Sequence, residues 1–139
     1  MTYPAADLTG AVQAMLAGDA ASRSLGMEVV QAAEGSAVVR MRISEQMVNG
    51  HAIAHGGYLF MLADTALACA SNSYGMAAVA AAADITFVAS ARLGDELVAT
   101  ATERTRYGRN GIYDVTVRRG GDVIAEFRGR SRIIERRPS

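Results

Sequence analysis

Residues 58–70 read Tyr-Leu-Phe-Met-Leu-Ala-Asp-Thr-Ala-Leu-Ala-Cys-Ala, and no other stretch constrains the fold as strongly. The run has no Gly or Pro and is apolar nearly all round, which predicts a helix buried on most of its surface. The rest of the chain has to wrap a helix of that kind. One acidic side chain, Asp64, interrupts the run. Asp is seldom buried without a partner or a task. Asp64 is therefore either a structural residue paired with an Arg or a functional carboxylate.

The approach to this helix is polar and glycine-containing: Asn49, Gly50, His51, His55, Gly56 and Gly57. If the helix opens at Gly56-Gly57, its first amides have no intrahelical partner. Those amides and the helix dipole suit a developing negative charge, as in an oxyanion hole. Asp64 follows Gly56 by eight residues, which is about 12 Å along the axis at 1.5 Å per residue. Within one chain both groups cannot act on one carbonyl. Two such helices running antiparallel across a two-fold axis would bring Gly56 of one subunit to Asp64 of the other, giving an isologous dimer with two sites.

At 139 residues the chain is expected to be one domain, 1–139, with a core at about 25–134 and an N-terminal helical segment at 5–24. Fourteen basic residues balance 14 acidic ones, which argues against an electrostatic nucleic-acid binder. All the basic residues are Arg. The single cysteine, Cys69, excludes an intramolecular disulfide and fits a reducing cytoplasm. Residues 1–16 have neither a basic stretch nor a sustained apolar one, so no signal peptide is expected. The central apolar run is too short, and carries an Asp, to be a membrane span.

In chain order, a helix is expected over residues 8–17, capped by Asp7 or Thr9, with Val12, Met15 and Leu16 on its apolar face. A second turn follows at 20–25. Residues 26–30 and 36–43 read as strands joined by a turn at Ala33-Glu34-Gly35, with Val39 and Met41 facing opposite to Arg40 and Arg42. Residues 44–54 form the loop into the central helix, and Gly75 is expected to end that helix. Four extended segments then follow. The first lies within 76–88, and the next at 96–105. A polar loop, 106–111, leads to a third at 112–118, and Gly120-Gly121-Asp122 turns into a fourth at 123–134. Residues 135–139 read as a frayed tail. The result is an α+β plan, an antiparallel sheet wrapped around one apolar helix.

The ordered set NGH, HGGYLFMLADTALA, LGDELVATA, GIYDV and FRGRSR resembles the hotdog-fold acyl-CoA thioesterases, specifically the phenylacetic acid degradation thioesterase (PaaI) family. The likeness runs from about residue 25 to 134. It implies the hotdog fold, a curved antiparallel sheet around a central long helix. It also implies hydrolysis of phenylacetyl-CoA or ring-hydroxylated phenylacetyl-CoA in phenylacetate degradation, without a cofactor. By this resemblance Asp64 is the catalytic carboxylate, acting as general base or nucleophile, and Gly56 supplies the amide that polarises the thioester carbonyl. Asn49 positions the thioester or the water, and His55 and Gly57 shape the substrate loop. Some members carry a Ser or Thr on the strand after the helix, near the attacking water. Residues 77–83 hold no hydroxyl, so Thr65 or a residue outside the motif would supply it. The resemblance further implies a homodimer that forms the active site and pairs into a homotetramer.

The substrate suggests further candidates. Coenzyme A carries phosphates, which an Arg collar would hold. Arg109 and Arg130 lead among Arg104, Arg106, Arg109, Arg128, Arg130 and Arg132, and a solvated sheet face is the plainer use of this set. Tyr58, Leu59, Phe60 and Met61 are candidates to line the acyl pocket. His51 and His55 lack a third ligand of matching spacing, so no metal site is expected. Cys69 reads as an inert core residue. Two other functions compete. A hotdog hydratase or dehydratase would want a His facing Asp64, and a non-catalytic acyl-CoA sensor would normally add a DNA-binding segment.

Overall fold

A computed structural model describes residues 7–134. The elements in order are α1 (Thr9–Ala17), α2 (Ala20–Ser24), β1 (Glu28–Ala33), β2 (Ser36–Arg42), a 3-10 turn (Glu45–Met47), α3 (Gly56–Ser71), β3 (Ala78–Phe87), β4 (Glu96–Tyr107), β5 (Asn110–Arg119) and β6 (Asp122–Ile133). The six strands form one sheet in the order β1-β2-β4-β5-β6-β3, with every pairing antiparallel. α3 touches all six strands. The expected α+β plan of a sheet around one helix is what the chain forms.

The packing follows from the residue pattern. Leu62, Ala63, Ala66, Cys69 and Ala70 of α3 are fully shielded from solvent. Val39 and Met41 on β2, Leu97, Ala99 and Ala101 on β4, and Val115 and Val117 on β5 meet them. Alternation puts Arg40 and Arg42 on the outer side of β2, as expected. Each large aliphatic side chain buried here contributes about 1.5–3 kcal/mol. Gly129 on β6 lies under α3 with no room for a side chain: a Cβ there would lie 2.6 Å from Leu67 Cδ2 and 2.9 Å from Phe127 Cε1.

Four boundaries differ from the sequence reading. The strand expected at 26–30 is β1, Glu28–Ala33, because its pairing with β2 runs on to Ala33 opposite Ser36. α3 ends at Ser71, before Gly75, because Asn72 intervenes. Its Nδ2 donates to Ala68 O (2.8 Å) and Ala78 O (3.0 Å), and its Oδ1 accepts from the Ala78 amide (2.9 Å), stitching the helix end to β3. Gly75 takes its positive φ of 83° in the turn beyond. The expected polar loop at 106–111 is instead a two-residue turn, Gly108-Arg109, because β4 and β5 pair out to Tyr107 and Asn110. At the N-terminus the cap position of α1 falls to Leu8, which offers no side-chain cap, in place of the expected Asp7 or Thr9. The Asp7 carboxylate accepts from the Thr9 amide and hydroxyl, and Thr9 Oγ1 accepts from the Ala32 amide, so α1 docks on β1 through Val12 and Leu16. Met15 is largely exposed. Residues 5–6 of the expected helical segment and the tail at 135–139 lie outside the described residues. Among the described residues, no helix is long and apolar enough to cross a membrane.

Two outcomes test this packing. Gly129→Ala should destabilise the protein by about 1–3 kcal/mol through overpacking. Gly121→Ala, in a turn where a Cβ meets nothing, should stay within about 0.5 kcal/mol; urea unfolding of both variants reads the difference. Burial pushes the Cys69 thiol up to about 12, so a thiol reagent at pH 8 should label the chain only after unfolding.

Candidate active site

The residues of α3 that its own sheet leaves uncovered fall on one stripe. Gly57, Phe60, Met61, Asp64 and Ala68 are exposed or half-buried, while from Leu59 onward the helix residues between them are buried; Gly56 and Tyr58 in the first turn are half-buried. At 3.6 residues per turn these positions span an arc of about 100°. Asp64 sits at its centre. Its carboxylate has no hydrogen bond or ion pair with any described residue, so the structural reading of an Arg-paired Asp fails within the subunit. Burial pushes its carboxyl above the usual carboxylate range, and the nearby Asp19 carboxylate adds to the effect. A carboxylate in that state is a stronger base than an exposed one.

The loop before α3 is built to present the helix start. Asn49 Oδ1 accepts from the amides of His51 (2.9 Å) and Ile53 (3.1 Å), which closes the loop on itself. Ala52 adopts φ 60°, and its carbonyl accepts from the Leu93 amide. The His55 amide donates to Met47 O, fixing the residue before the helix. His55 then takes the cap position but offers no side-chain cap, so the opening amides at Gly56 and Gly57 keep their donors. Asn49 therefore holds the loop with its oxygen and retains its Nδ2 as a donor. His51 and His55 are both exposed.

Phe87, the last residue of β3, belongs to this site and was not singled out from the sequence. A Cβ on Gly56 would lie 2.6 Å from Phe87 Cζ and 3.0 Å from Cε1. The ring lies against the helix start, yet Phe87 is half exposed. Gly56 thus has two reasons to be glycine, a free amide and a ring pressed against it. Nothing local in the sequence signals a contact between residues this far apart. Phe60, four residues before Asp64, packs edge-on against Phe127 with ring centroids 5.3 Å apart.

Other expected site residues lie elsewhere. Thr65 is buried, and its hydroxyl pairs with Ser22 Oγ at 2.9 Å, one helical position round from the open stripe. It is an anchor between helices, which corrects the expectation that it contacts substrate. Among the candidate acyl-pocket residues, Leu59 is core, Tyr58 packs partly against the core, and Phe60 and Met61 share the stripe with Asp64. Arg128 is bound bidentately to Asp114 (2.6 and 3.0 Å), and Arg104 also reaches Asp114 at 3.3 Å. Arg106 lies 3.9 Å over the Tyr74 ring. Arg109, in the β4–β5 turn, donates to Ile133 O at 3.3 Å. Arg130 is exposed between the buried Gly129 and Ser131, hence on the sheet face away from α3. A single subunit does not gather Arg109 or Arg130 with Asp64. Among the described residues no three His, Cys, Asp or Glu side chains are grouped to hold a metal.

Comparison with known proteins agrees with this geometry. The thioesterase superfamily model matches residues 51–126, from the loop before α3 into β6. Acyl-coenzyme A thioesterase PaaI of Escherichia coli K12 is 46% identical over 119 residues, 85% of each chain. The solved structure of the E. coli PaaI protein from the phenylacetic acid degradation operon superposes with a TM-score of 0.87 at 42% identity, covering 92% of this chain and 96% of that one. A mutant of the phenylacetic acid degradation protein PaaI from Thermus thermophilus gives 0.78 at 34% identity, covering 81% of this chain and 97% of that one. The chain belongs to the thioesterase superfamily and, within it, to the PaaI-type acyl-CoA thioesterases of the hotdog fold.

Proposed function

We propose that this thioesterase hydrolyses phenylacetyl-CoA or its ring-hydroxylated derivatives to the free acid and coenzyme A, as a step of phenylacetate degradation in the cytoplasm. The observation that carries the reading is the unpartnered, half-buried Asp64 carboxylate on the open stripe of α3. A thioester carbonyl is already electrophilic, so one carboxylate, one oxyanion donor and one water suffice. Asp64 takes a proton from a water molecule as that water attacks the carbonyl carbon; alternatively Asp64 attacks the carbon itself, and water then hydrolyses the resulting acyl-Asp64 anhydride to the free acid and the regenerated carboxylate. The Gly56 amide, at the positive end of the helix dipole, donates to the developing oxyanion. The Asn49 Nδ2 orients the water or the thioester oxygen. Collapse of the tetrahedral intermediate breaks the C–S bond, and the thiolate of coenzyme A leaves and takes up a proton.

The site requires two subunits, because Gly56 and Asp64 lie about 12 Å apart along one helix. β3 supports such a dimer. Among the described residues only one of its edges is paired, to β6, and its residues from Val79 to Phe87 are exposed or half-buried throughout. An unpaired edge of that length is a template for another strand. Pairing β3 with its two-fold mate would set the two α3 stripes antiparallel across the seam. Phe87 and Phe60 would then flank the acyl group with aromatic surface, which suits a phenyl ring. Arg130 borders a shallow hollow of about 300 Å³ on the outer sheet face, with Tyr107 and Ile112. There it would meet coenzyme A phosphates, with Arg109 at the neighbouring hairpin tip. Association of dimers through the part of the outer sheet face away from this hollow would give the homotetramer.

The deciding assay is steady-state thiol release from phenylacetyl-CoA, its 3- and 4-hydroxy derivatives, hexanoyl-CoA and palmitoyl-CoA. The aryl thioesters should lead by about tenfold or more in kcat/KM, and a lead by the aliphatic chains would remove the phenylacetate assignment. Asp64→Asn should lower kcat by about 10²–10⁴-fold; wild-type turnover in that variant would take Asp64 out of the reaction. The same substitution should raise Tm at pH 7. The folded state binds the Asp64 proton more tightly than the unfolded state does, so ionising this carboxyl works against folding. The gain should shrink on acidification and vanish below the ordinary carboxylate value of 3.8, where the wild-type group is protonated in both states.

A further inference from the structure

A buried polar chain joins the first helical segment to the middle of α3. Asp19 caps α2, with Oδ1 accepting from the Ser22 amide (3.1 Å) and Oδ2 from the Ser22 hydroxyl (2.8 Å). Ser22 is fully buried, and its Oγ lies 2.9 Å from Thr65 Oγ1. A hydroxyl has one proton. Ser22 gives its proton to the carboxylate, so Thr65 must donate to Ser22, and the chain has a fixed direction from Thr65 to Asp19. Thr65 is the residue next to Asp64. A negative charge is thereby held against the one helix that carries the unpartnered carboxylate.

We propose that Asp19 is a positioning residue for Asp64: through Ser22 and Thr65 its carboxylate is held against the segment of α3 that carries Asp64. This rests on the reading of Asp64 as the catalytic base. The elements around α3 leave Asp19 as the charge that acts there. On α2, Arg23 is exposed and donates to Ala17 O. β1, β2 and β6 turn only apolar groups and the Ser131 hydroxyl inward. On β4 and β5 the half-buried Glu103 and buried Tyr113 interact with each other and with Tyr74, beyond the far end of the helix. Asp84 of β3 is exposed and acts on Arg128. Burial and the Asp19 charge are the two influences on the Asp64 carboxyl, both in the same direction.

The test is a carbon-13 NMR titration of the Asp64 side-chain carboxyl in the intact protein, with the pH profile of kcat/KM alongside. In Asp19→Asn, which keeps an N-cap residue, the Asp64 titration and the acid limb of the profile should both move to lower pH. Asp19→Glu should restore them. Thr65→Val, which cuts the chain but keeps the charge, should move the titration in the same direction by less. The double variant should match Asp19→Asn alone, because no charge is left to hold. An Asp64 curve in Asp19→Asn that overlays the wild type overturns the proposal, and so does an Asp19→Glu curve that stays shifted. Should Asp19→Asn fail to fold, an unmoved Asp64 curve in Thr65→Val overturns it instead. If the curves move as expected but no acyl-CoA is hydrolysed, the thioesterase reading fails and the Asp19 coupling stands.

Discussion

Everything in this protein depends on burying α3 against a six-stranded sheet. A helix with leucines and alanines on most sides has nowhere stable to sit except inside a wrapping sheet. The sheet supplies that enclosure through alternation, with Val39, Met41, Leu97, Val115 and Val117 turned toward the helix and Arg40, Arg42, Arg128 and Arg130 turned out. On β6, Gly129 makes room for Leu67. One stripe of the helix escapes the wrap, and there α3 carries its only carboxylate.

That placement explains how a simple chemistry is supported without many groups. Asp64 has no partner in its own subunit, and its surroundings favour the protonated form. The loop before α3 spends the Asn49 oxygen on its own amides and leaves the helix-start amides uncapped. The proposed base and oxyanion donor thus stand at different heights on one helix, too far apart to act together in one copy. The proposed two-fold axis would remove the separation without any added element.

Much of the fold was legible in the residues. The apolar run announced the core helix, the alternation in residues 36–43 set the inward face of β2, and the glycine pair at 120–121 marked a hairpin turn. Boundaries were less legible where side chains or pairing partners decide them. Asn72 ends α3 by bridging Ala68 and Ala78, a function invisible until β3 is in place. The Gly108-Arg109 turn is short because strand pairing extends to its rim, although the polar residues around it read as a loop. Thr65 looked available to substrate because it adjoins Asp64, yet a step of one residue round the helix turns it onto Ser22.

By itself, the sequence determined the elements, the inward faces and the candidate carboxylate, because these follow from periodicity and from the scarcity of charge in an apolar helix. Tertiary structure alone decided which groups meet: Phe87 over Gly56, Asp19 through Ser22 onto Thr65, and Arg130 on the sheet face away from Asp64. Such contacts join residues distant in the chain, and they depend on sheet register and helix rotation. Both are set by the packing of the whole, and no local pattern encodes them.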